Sequence, residues 1–206
     1  MRNDPYPRRI AGAILAGGQA RRLDGIPKGT LLVEGVPFVK HQIDQLRAVG
    51  IGDITIVTNE PSAYREHTVD LISDIHIGIG PMGGIEAALS HFAGQADGLL
   101  VVPCDLPYIA SPQFATLIEA FLASDSAAVF AQTGPHGWHP LCAVMDNRLR
   151  TTVSIAIKHG ERKIRNLWRH IGALPINFPD ERPFFNVNCR ADIERLHCSE
   201  QDKIAS

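Results

Sequence analysis

The loop after the first apolar segment is rich in glycine, arginine and lysine. It runs from Leu15 to Lys28 and reads LAGGQARRLDGIPK. Glycines let backbone N–H groups approach phosphate oxygens, because no β-carbon stands in the way. Arg21 or Arg22 can present a planar fork of donors, and Lys28 adds a compact positive charge. The loop therefore predicts a site that holds a triphosphate and neutralises a leaving pyrophosphate.

Other phosphate-binding motifs do not describe this loop. GxxxxGK[ST] and GxGxxG are both missing from it, which argues against a P-loop ATPase and a dinucleotide dehydrogenase. A glycine turn with solvated arginines is the simpler alternative. Two arginines and a lysine in one loop favour phosphate binding over that alternative.

An aspartate flanked by prolines ends a second apolar run, in the sequence Val101-Val-Pro-Cys-Asp105-Leu-Pro-Tyr108. A carboxylate at a strand end is a hard oxygen ligand that suits Mg²⁺, which would bridge it to the triphosphate. An aspartate that only caps a turn is the alternative. The expected position of Asp105 beside the first loop favours the metal.

Two asparagines alternate near the end of the chain, in the sequence Phe184-Phe-Asn186-Val-Asn188. Side chains alternate along an extended segment, so both amides would share one face. They could complete the metal shell or bind the phosphate of an acceptor. Equally, Asn188 could cap a helix that begins near Arg190.

Histidines and basic residues follow in the second half of the chain. His136 and His139 flank Trp138, where a loop enters a strand, and they could bind the acceptor or simply pack on the tryptophan. The basic segment from Lys158 to Arg169 is typical of a solvated helix face. It could also attract an anionic acceptor.

Apolar periodicity indicates the elements that must position these residues. Strands are predicted near residues 10–16, 54–57, 69–73, 99–102, 127–131 and 141–145, and helices near 39–46, 85–92, 112–121, 149–159 and 163–170. This alternation predicts a three-layer, doubly wound α/β fold with a mostly parallel sheet. Ligands of such sheets bind beyond the carboxyl ends of the strands. The loops after Ala16, Val57, Ser73 and Val102 should therefore share one crevice.

Length and composition bound the organisation of the chain. The sequence has 206 residues, 45% of them hydrophobic, which is enough for a substantial core. We expect a flexible N-terminal arm at residues 1–9 and a single domain at residues 10–206. The nucleotide half would span about residues 10–110 and the acceptor half about residues 111–206.

Charge and cysteine content narrow the partners and the compartment. A formal net charge of −2 argues against a protein that coats nucleic acid. The four cysteines are scattered, so neither a zinc site nor a disulfide framework is indicated. The chain shows no secretory leader and no apolar run of membrane-spanning length. We expect a cytoplasmic protein, monomeric or weakly oligomeric, that binds neither membranes nor nucleic acid.

Four motifs in order, LAGGxARRLxGxxKG, CDLPY, WHPL and FxNVN, give the chain a specific resemblance. From Ile10 to Leu196 it resembles the molybdenum cofactor guanylyltransferases of the nucleotidyltransferase superfamily. This resemblance implies a Rossmann-like fold of the nucleotide-diphospho-sugar transferase type. It also implies Mg²⁺-dependent transfer of GMP from GTP to the molybdopterin cofactor, with release of pyrophosphate. One departure is Pro27, where the family usually has an acidic residue.

The resemblance also implies residue roles. GTP would be bound by Leu15, Ala16, Gly17, Gly18, Lys28, Val57, Asn59, Asp74 and Asp105. The catalytic residues would be Asp105, Lys28 and Arg22, with Asp105 as the metal ligand. The acceptor would be bound by Asn186, Asn188 and His139. Proteins that deliver the cofactor or mature molybdoenzymes are expected partners.

Three alternatives to this activity stay open at the level of sequence. One is a molybdopterin cytidylyltransferase, which would use CTP on the same cofactor. Another is a nucleotidyltransferase that acts on a sugar phosphate. The third, from a different class, is a non-catalytic GTP-binding subunit in molybdoenzyme assembly.

Overall fold

Strands and helices alternate along the chain, as the apolar pattern predicts. The computed structural model describes residues 8–17, 26–76, 78–189, 191–192 and 194. The strands are β1 (Ile10–Leu15), β2 (Leu32–Val33), β3 (Val36–Pro37), β4 (Ile54–Val57), β5 (Asp70–Ile72), β6 (Gly98–Pro103), β7 (Ala128–Thr133), β8 (Gly137–Asp146) and β9 (Leu174–Phe178). The helices are α1 (Phe38–Ala48), α2 (Pro81–His91), α3 (Ser111–Ala123), α4 (Arg150–Lys158) and α5 (Ile164–Ile171). Short 3-10 turns lie at Lys28–Thr30, Pro61–Tyr64, Asn147–Leu149 and Arg182–Phe184.

Seven of these strands form one sheet, in the order β5-β4-β1-β6-β8-β7-β9. β8 is antiparallel to both β6 and β7, whereas the other neighbouring pairs are parallel. The mostly parallel sheet predicted from the sequence is confirmed.

Helices cover both faces of the sheet, because each central strand is apolar on both sides. In β1, Ile10 and Ile14 face one layer with α1 and α3, while Ala13 and Leu15 face the other with α2, α4 and α5. A β-carbon on Gly12 would lie 3.2 Å from Leu46 Cδ1, so this glycine allows α1 to approach the strand closely. The predicted three-layer arrangement is confirmed.

The order of the strands reverses between β1 and β6. The connection after β1 runs through α1 to β4 on one side, and that after β6 runs through α3 to strands on the other side. Such a reversal opens a crevice at the carboxyl ends of the two strands. The predicted glycine–lysine loop follows β1, and Asp105 follows β6, so both belong to this edge.

The structure adds elements that the apolar pattern does not reveal. β9 is a strand at the edge of the sheet that is mostly solvent-facing and contains Pro175, which weakens any strand prediction. The antiparallel pair β2 and β3 has only two residues in each strand. β8 is longer than predicted, since it also includes residues 137–140.

The predicted arm meets the body of the protein at its last two residues. Arg8 donates to Asp146 Oδ2 at 2.8 Å, and Arg9 donates to Asp53 Oδ2 at 2.7 Å. Residues 1–7 lie outside the described part of the chain, so the division into an arm and one domain stays a prediction. In the described residues, no helix has both the length and the apolar character needed to cross a membrane.

Candidate active site

Lys28 is presented by a short turn. Pro27 precedes the 3-10 turn with φ −59° and ψ 123°, and its carbonyl accepts hydrogen bonds from the Thr30 N–H at 3.0 Å and the Thr30 hydroxyl at 2.8 Å. The Leu31 N–H donates to the Lys28 carbonyl at 3.1 Å and closes the turn. Pro27 therefore has a defined structural role at the position where the sequence departs from the family.

Asp105 lies directly after β6, next to the end of β1. The Cys104 N–H donates to the Leu15 carbonyl at 3.0 Å, which extends the pairing of the two strands up to the site. Lys28 Nζ donates to Asp105 Oδ2 at 2.9 Å and to Asn188 Oδ1 at 2.8 Å. Three predicted site residues, far apart in the sequence, thus meet in one cluster.

The Lys28–Asp105 pair is largely shielded from water. The Lys28 side chain is 23% exposed, and that of Asp105 is 16% exposed. Asp105 Oδ1 is buried and has no hydrogen-bond partner among the described residues. A buried carboxylate oxygen without a partner carries a desolvation cost. This oxygen is available to a ligand.

The residues present fit a divalent cation that also binds substrate. Within the described ranges, no three His, Cys, Asp or Glu side chains gather into a cage for a metal ion. Mg²⁺ is commonly held by one or two carboxylates together with substrate phosphates, and it retains several waters. Asp105 Oδ1 is a carboxylate oxygen that could serve as the protein ligand of such an ion.

The segment around Val187 closes the site from the C-terminal side. Val187 is buried, packs with Val33 and Phe38, and donates its N–H to the Asp105 carbonyl at 3.0 Å. Asn186 and Asn188 are exposed on either side of it, so the predicted alternation is present, although the segment forms no strand.

The side chain of Asn188 accepts a hydrogen bond from Lys28, and its role towards the metal or the acceptor stays a prediction. Its N–H and that of Cys189 donate instead to Asp192 Oδ2, at 2.8 and 3.0 Å. Arg190, where the capped helix was predicted to begin, lies outside the described residues.

A second group of predicted residues lies where β1, β4 and β5 end. Asn59 Nδ2 donates to Asp74 Oδ2 at 3.1 Å, and the Asp74 N–H donates to Asn59 Oδ1 at 3.3 Å. The Ala16 N–H donates to the Val57 carbonyl at 2.9 Å. Burial raises the pKa of Asp74, although the hydrogen bond from Asn59 acts in the opposite direction.

Two glycines lie close to Asp74. A β-carbon on Gly17 would lie 3.8 Å from Asp74 Oδ2, and one on Gly84 would lie 3.3 Å from Asp74 Oδ1. Gly84 belongs to the first turns of α2, so this helix approaches the end of β1 closely. Together these residues form a small, partly desolvated recess at the ends of β1, β4 and β5.

His139 makes contacts inside the acceptor half. Its Nε2 lies 2.9 Å from the Thr133 hydroxyl, and its ring stacks on Phe184 with centroids 4.6 Å apart. Burial lowers the pKa of His139, so a neutral imidazole is favoured. One ring nitrogen and one ring face are thus already in use, and acceptor binding by His139 stays a prediction.

Trp138 has neighbours other than the two histidines. It packs on Phe130 with centroids 4.7 Å apart, and the guanidinium groups of Arg165 and Arg169 lie 5.1 and 5.3 Å from its ring. His136 is exposed in the turn between β7 and β8. The basic segment therefore packs on Trp138 within the acceptor half.

Three predicted site residues lie outside the described part of the chain, and one residue beside the site was not predicted. Gly18, Arg21 and Arg22 lie outside the described residues. The sequence analysis missed Tyr64, whose ring lies against Gly29. The only sequence signal is the Lys-Gly pair of the loop, which does not reveal that a distant tyrosine is the neighbour.

The strand reversal between β1 and β6 is typical of α/β proteins that bind ligands at the carboxyl ends of such strands. A family model described as "MobA-like NTP transferase domain" matches residues 12–174. The chain therefore belongs to this family of nucleotidyltransferases. A molybdenum cofactor guanylyltransferase from Shewanella sp. (strain MR-4) is 33% identical over 192 residues, covering 91% of this chain and 95% of the relative. The resemblance seen in the motifs is confirmed, and the protein is a nucleotidyltransferase of the MobA type.

Solved structures share the fold. Molybdopterin-guanine dinucleotide biosynthesis protein A from Archaeoglobus fulgidus has a TM-score of 0.75 at 23% identity, covering 92% of this chain and 99% of that one. A Mycobacterium tuberculosis protein in complex with manganese has a TM-score of 0.69 at 16% identity, covering 91% of this chain and 97% of that one.

Proposed function

We propose that the protein transfers GMP from GTP to the terminal phosphate of the molybdenum-molybdopterin cofactor. The products are the molybdopterin guanine dinucleotide cofactor and pyrophosphate. The observation that carries this proposal is the cluster of Lys28, Asp105 and Asn188 at the strand reversal, with one carboxylate oxygen of Asp105 left unpartnered. Relatives named molybdenum cofactor guanylyltransferase support the choice of nucleotide and acceptor.

The proposed chemistry is an in-line displacement. The acceptor phosphate attacks the α-phosphorus of GTP, a new P–O bond forms, and the bond to pyrophosphate breaks. A phosphate monoester is already ionised at neutral pH, so the enzyme supplies neither a nucleophile nor a general base. Its contribution is position and charge stabilisation.

Lys28 and Asp105 divide the charges of this reaction. Lys28 would turn from Asp105 towards the phosphates and follow them as pyrophosphate leaves. Asp105 would hold Mg²⁺ through its unpartnered oxygen, and the ion would neutralise phosphate charge. A protein of this fold has been solved with manganese, which supports a divalent cation. Arg22 would add charge to the leaving group.

The recess of Asn59 and Asp74 would take the nucleoside. Its position at the ends of β4 and β5, beside Gly17, suits the ribose or guanine of a nucleotide whose phosphates reach Lys28. Backbone atoms of residues 15–18 and the end of β4 at Val57 would line the same nucleotide. The acceptor would lie towards Asn186, Asn188 and His139.

Several further features are proposed on the same basis. The reaction would take place in the cytoplasm, on a monomer or weak oligomer. The cofactor would arrive from, and the product pass to, partner proteins of molybdoenzyme assembly.

The decisive experiment measures pyrophosphate release from GTP, CTP and UTP, each with and without molybdopterin and Mg²⁺. We expect release only with GTP, acceptor and metal together. Asp105→Asn should abolish it, whereas Asp146→Asn, a matched change at the opposite edge of the sheet, should not. Preference for CTP would indicate a cytidylyltransferase. Turnover in a parallel reaction with a sugar phosphate in place of molybdopterin would indicate that acceptor class. GTP binding without release would indicate a non-catalytic subunit.

A further inference from the structure

The turn that carries Lys28 lies on a fully buried tyrosine. Tyr64 ends the 3-10 turn that follows β4, and its side chain is 0% exposed in the layer formed with α1 and α3. A β-carbon added at Gly29 would lie 2.9 Å from both Cε1 and Oη of Tyr64. Packed interiors do not tolerate such an approach without movement of one partner.

This contact, and not backbone conformation, requires glycine after the lysine. Gly29 is not among the glycines with positive φ, so alanine could adopt its backbone angles. What excludes alanine is the Tyr64 ring, which cannot move aside because it is enclosed. The contact between Gly29 and Tyr64 therefore fixes how closely the turn that carries Lys28 can approach the packed layer.

The surface beneath the turn adds no charge that would compete for the lysine. Burial raises the pKa of the Tyr64 hydroxyl, and burial raises that of the neighbouring Cys104 thiol to about 12. Both groups are neutral at physiological pH. The partners of Lys28 Nζ are then Asp105 and Asn188, and the support from below is steric.

We propose that Tyr64 is a positioning residue, whose buried ring supports Gly29 and thereby holds Lys28 Nζ beside Asp105 and Asn188. The inference rests on the proposed function in assigning Lys28 to the phosphates of the nucleotide. The steric support itself does not depend on that assignment, so the two can be tested separately.

The first measurement reads the position of Lys28 without any turnover. Trace acetylation of the ligand-free protein with acetic anhydride, followed by peptide mass spectrometry, gives the reactivity of the Lys28 amine. Its ion pair protects it in the wild type. We expect Gly29→Ala and Tyr64→Leu each to increase acetylation of Lys28, and Tyr64→Phe, which keeps the ring, to leave it unchanged.

The second measurement is a double-mutant cycle on kcat/KM for GTP. A misplacement of the lysine by about 1 Å should lower kcat/KM by about a hundredfold in Gly29→Ala. In the Tyr64→Leu background there is room for the extra methyl group, so Gly29→Ala should cost much less there. Tyr64→Met takes the place of Tyr64→Leu if the latter does not fold.

A matched control separates position from stability. Gly12→Ala introduces a β-carbon 3.2 Å from Leu46 Cδ1 in the same layer, away from the lysine. It should lower the free energy of unfolding and leave Lys28 acetylation and turnover per folded molecule unchanged.

The outcomes distinguish the two proposals. Increased acetylation in Gly29→Ala and Tyr64→Leu, together with non-additive kinetics, supports the role of Tyr64. If both variants behave like Gly12→Ala, or the cycle is additive, the role of Tyr64 is overturned while the proposed function stands. If acetylation changes as expected but the wild type releases no pyrophosphate from GTP, the support of Lys28 stands and the proposed function is overturned.

Discussion

An aspartate lies at each of the two ends of the sheet's strands, one buried and one largely shielded from water, and the two differ in how completely they are paired. At the amino edge, Asp146 Oδ1 accepts from the Arg148 N–H and Nε, and its Oδ2 accepts from Arg8 and Arg148. At the carboxyl edge, Asp105 Oδ2 accepts from Lys28, while its Oδ1 has no partner among the described residues. Both carboxylate oxygens of Asp146 therefore accept hydrogen bonds, whereas one carboxylate oxygen of Asp105 can still bind a ligand.

This difference separates Asp146, a structural acid, from Asp105, for which we propose a function. Burial alone would raise the pKa of Asp146, but hydrogen bonds from Arg148 and Arg8 outweigh it and lower the pKa to about 2. These hydrogen bonds attach Arg8, which precedes β1, to the end of β8. The unsatisfied oxygen of Asp105 carries a cost in the unliganded protein that a bound cation would remove. The incomplete pairing of Asp105, at the strand reversal, therefore supports the role proposed for it.

The largest effect should follow from Asp105→Asn. The amide keeps the shape and removes the negative charge, so turnover should fall by about a thousandfold or more. The free energy of unfolding should change less than in Asp146→Asn, because within the described part of the chain the Asp105 carboxylate accepts one hydrogen bond whereas that of Asp146 accepts four. Pyrophosphate release and urea unfolding measure the two quantities. Retention of most activity would remove Asp105 from the mechanism.

Lys28→Met should have the next largest effect. It preserves the length of the side chain and removes the charge that faces the phosphates, so kcat/KM for GTP should fall by about a hundredfold. Lys40→Met is the matched control, because Lys40 forms an exposed pair with Asp44 on α1. Equal kinetics for the two variants would place Lys28 outside the site.

Asp146→Asn should change stability and leave turnover intact. Loss of charge-assisted hydrogen bonds should lower the free energy of unfolding by about 2 kcal/mol at neutral pH. The unfolded pKa of an aspartate is about 3.9, and that of folded Asp146 is about 2. The stabilisation is therefore fully present above about pH 4 and is lost as the pH falls towards 2. Urea unfolding across this window should show the variant and the wild type converging, and a constant difference would contradict the assignment.

The smallest effect should come from Asp74→Asn. If the recess takes the nucleoside, KM for GTP should rise by about tenfold, which corresponds to about 1.4 kcal/mol, with kcat nearly unchanged. Asp70→Asn is the control at the other end of β5, where Asp70 faces His91 at 3.3 Å and is 73% exposed. A fall in kcat without a change in KM would move Asp74 from nucleoside binding to the chemical step.

Local sequence patterns predict the central strands and part of the candidate site. Continuous small and apolar residues identify β1 as a strand buried on both faces, and the glycine–lysine loop and Asp105 follow strands whose direction the alternation predicts. Because carboxyl ends of parallel strands share an edge, the proximity of Lys28 and Asp105 could be predicted before any coordinates.

Other features depend on contacts that no local pattern contains. β9 is a strand because β7 offers it a partner, although its own residues are mostly exposed and include a proline. The bond from Lys28 to Asn188 joins residues 160 positions apart. The place of Tyr64 beneath Gly29 requires the packed layer itself.

The hydrogen bond from the Val187 N–H to the Asp105 carbonyl attaches the segment that carries Asn188 to the end of β6. Lys28 and Asn188, whose side chains meet beside Asp105, lie 160 positions apart in the sequence. The surroundings of the lysine are therefore complete only once this long-range contact has formed. A folding intermediate with an intact sheet but a detached Val187 segment would lack the amide partner of Lys28.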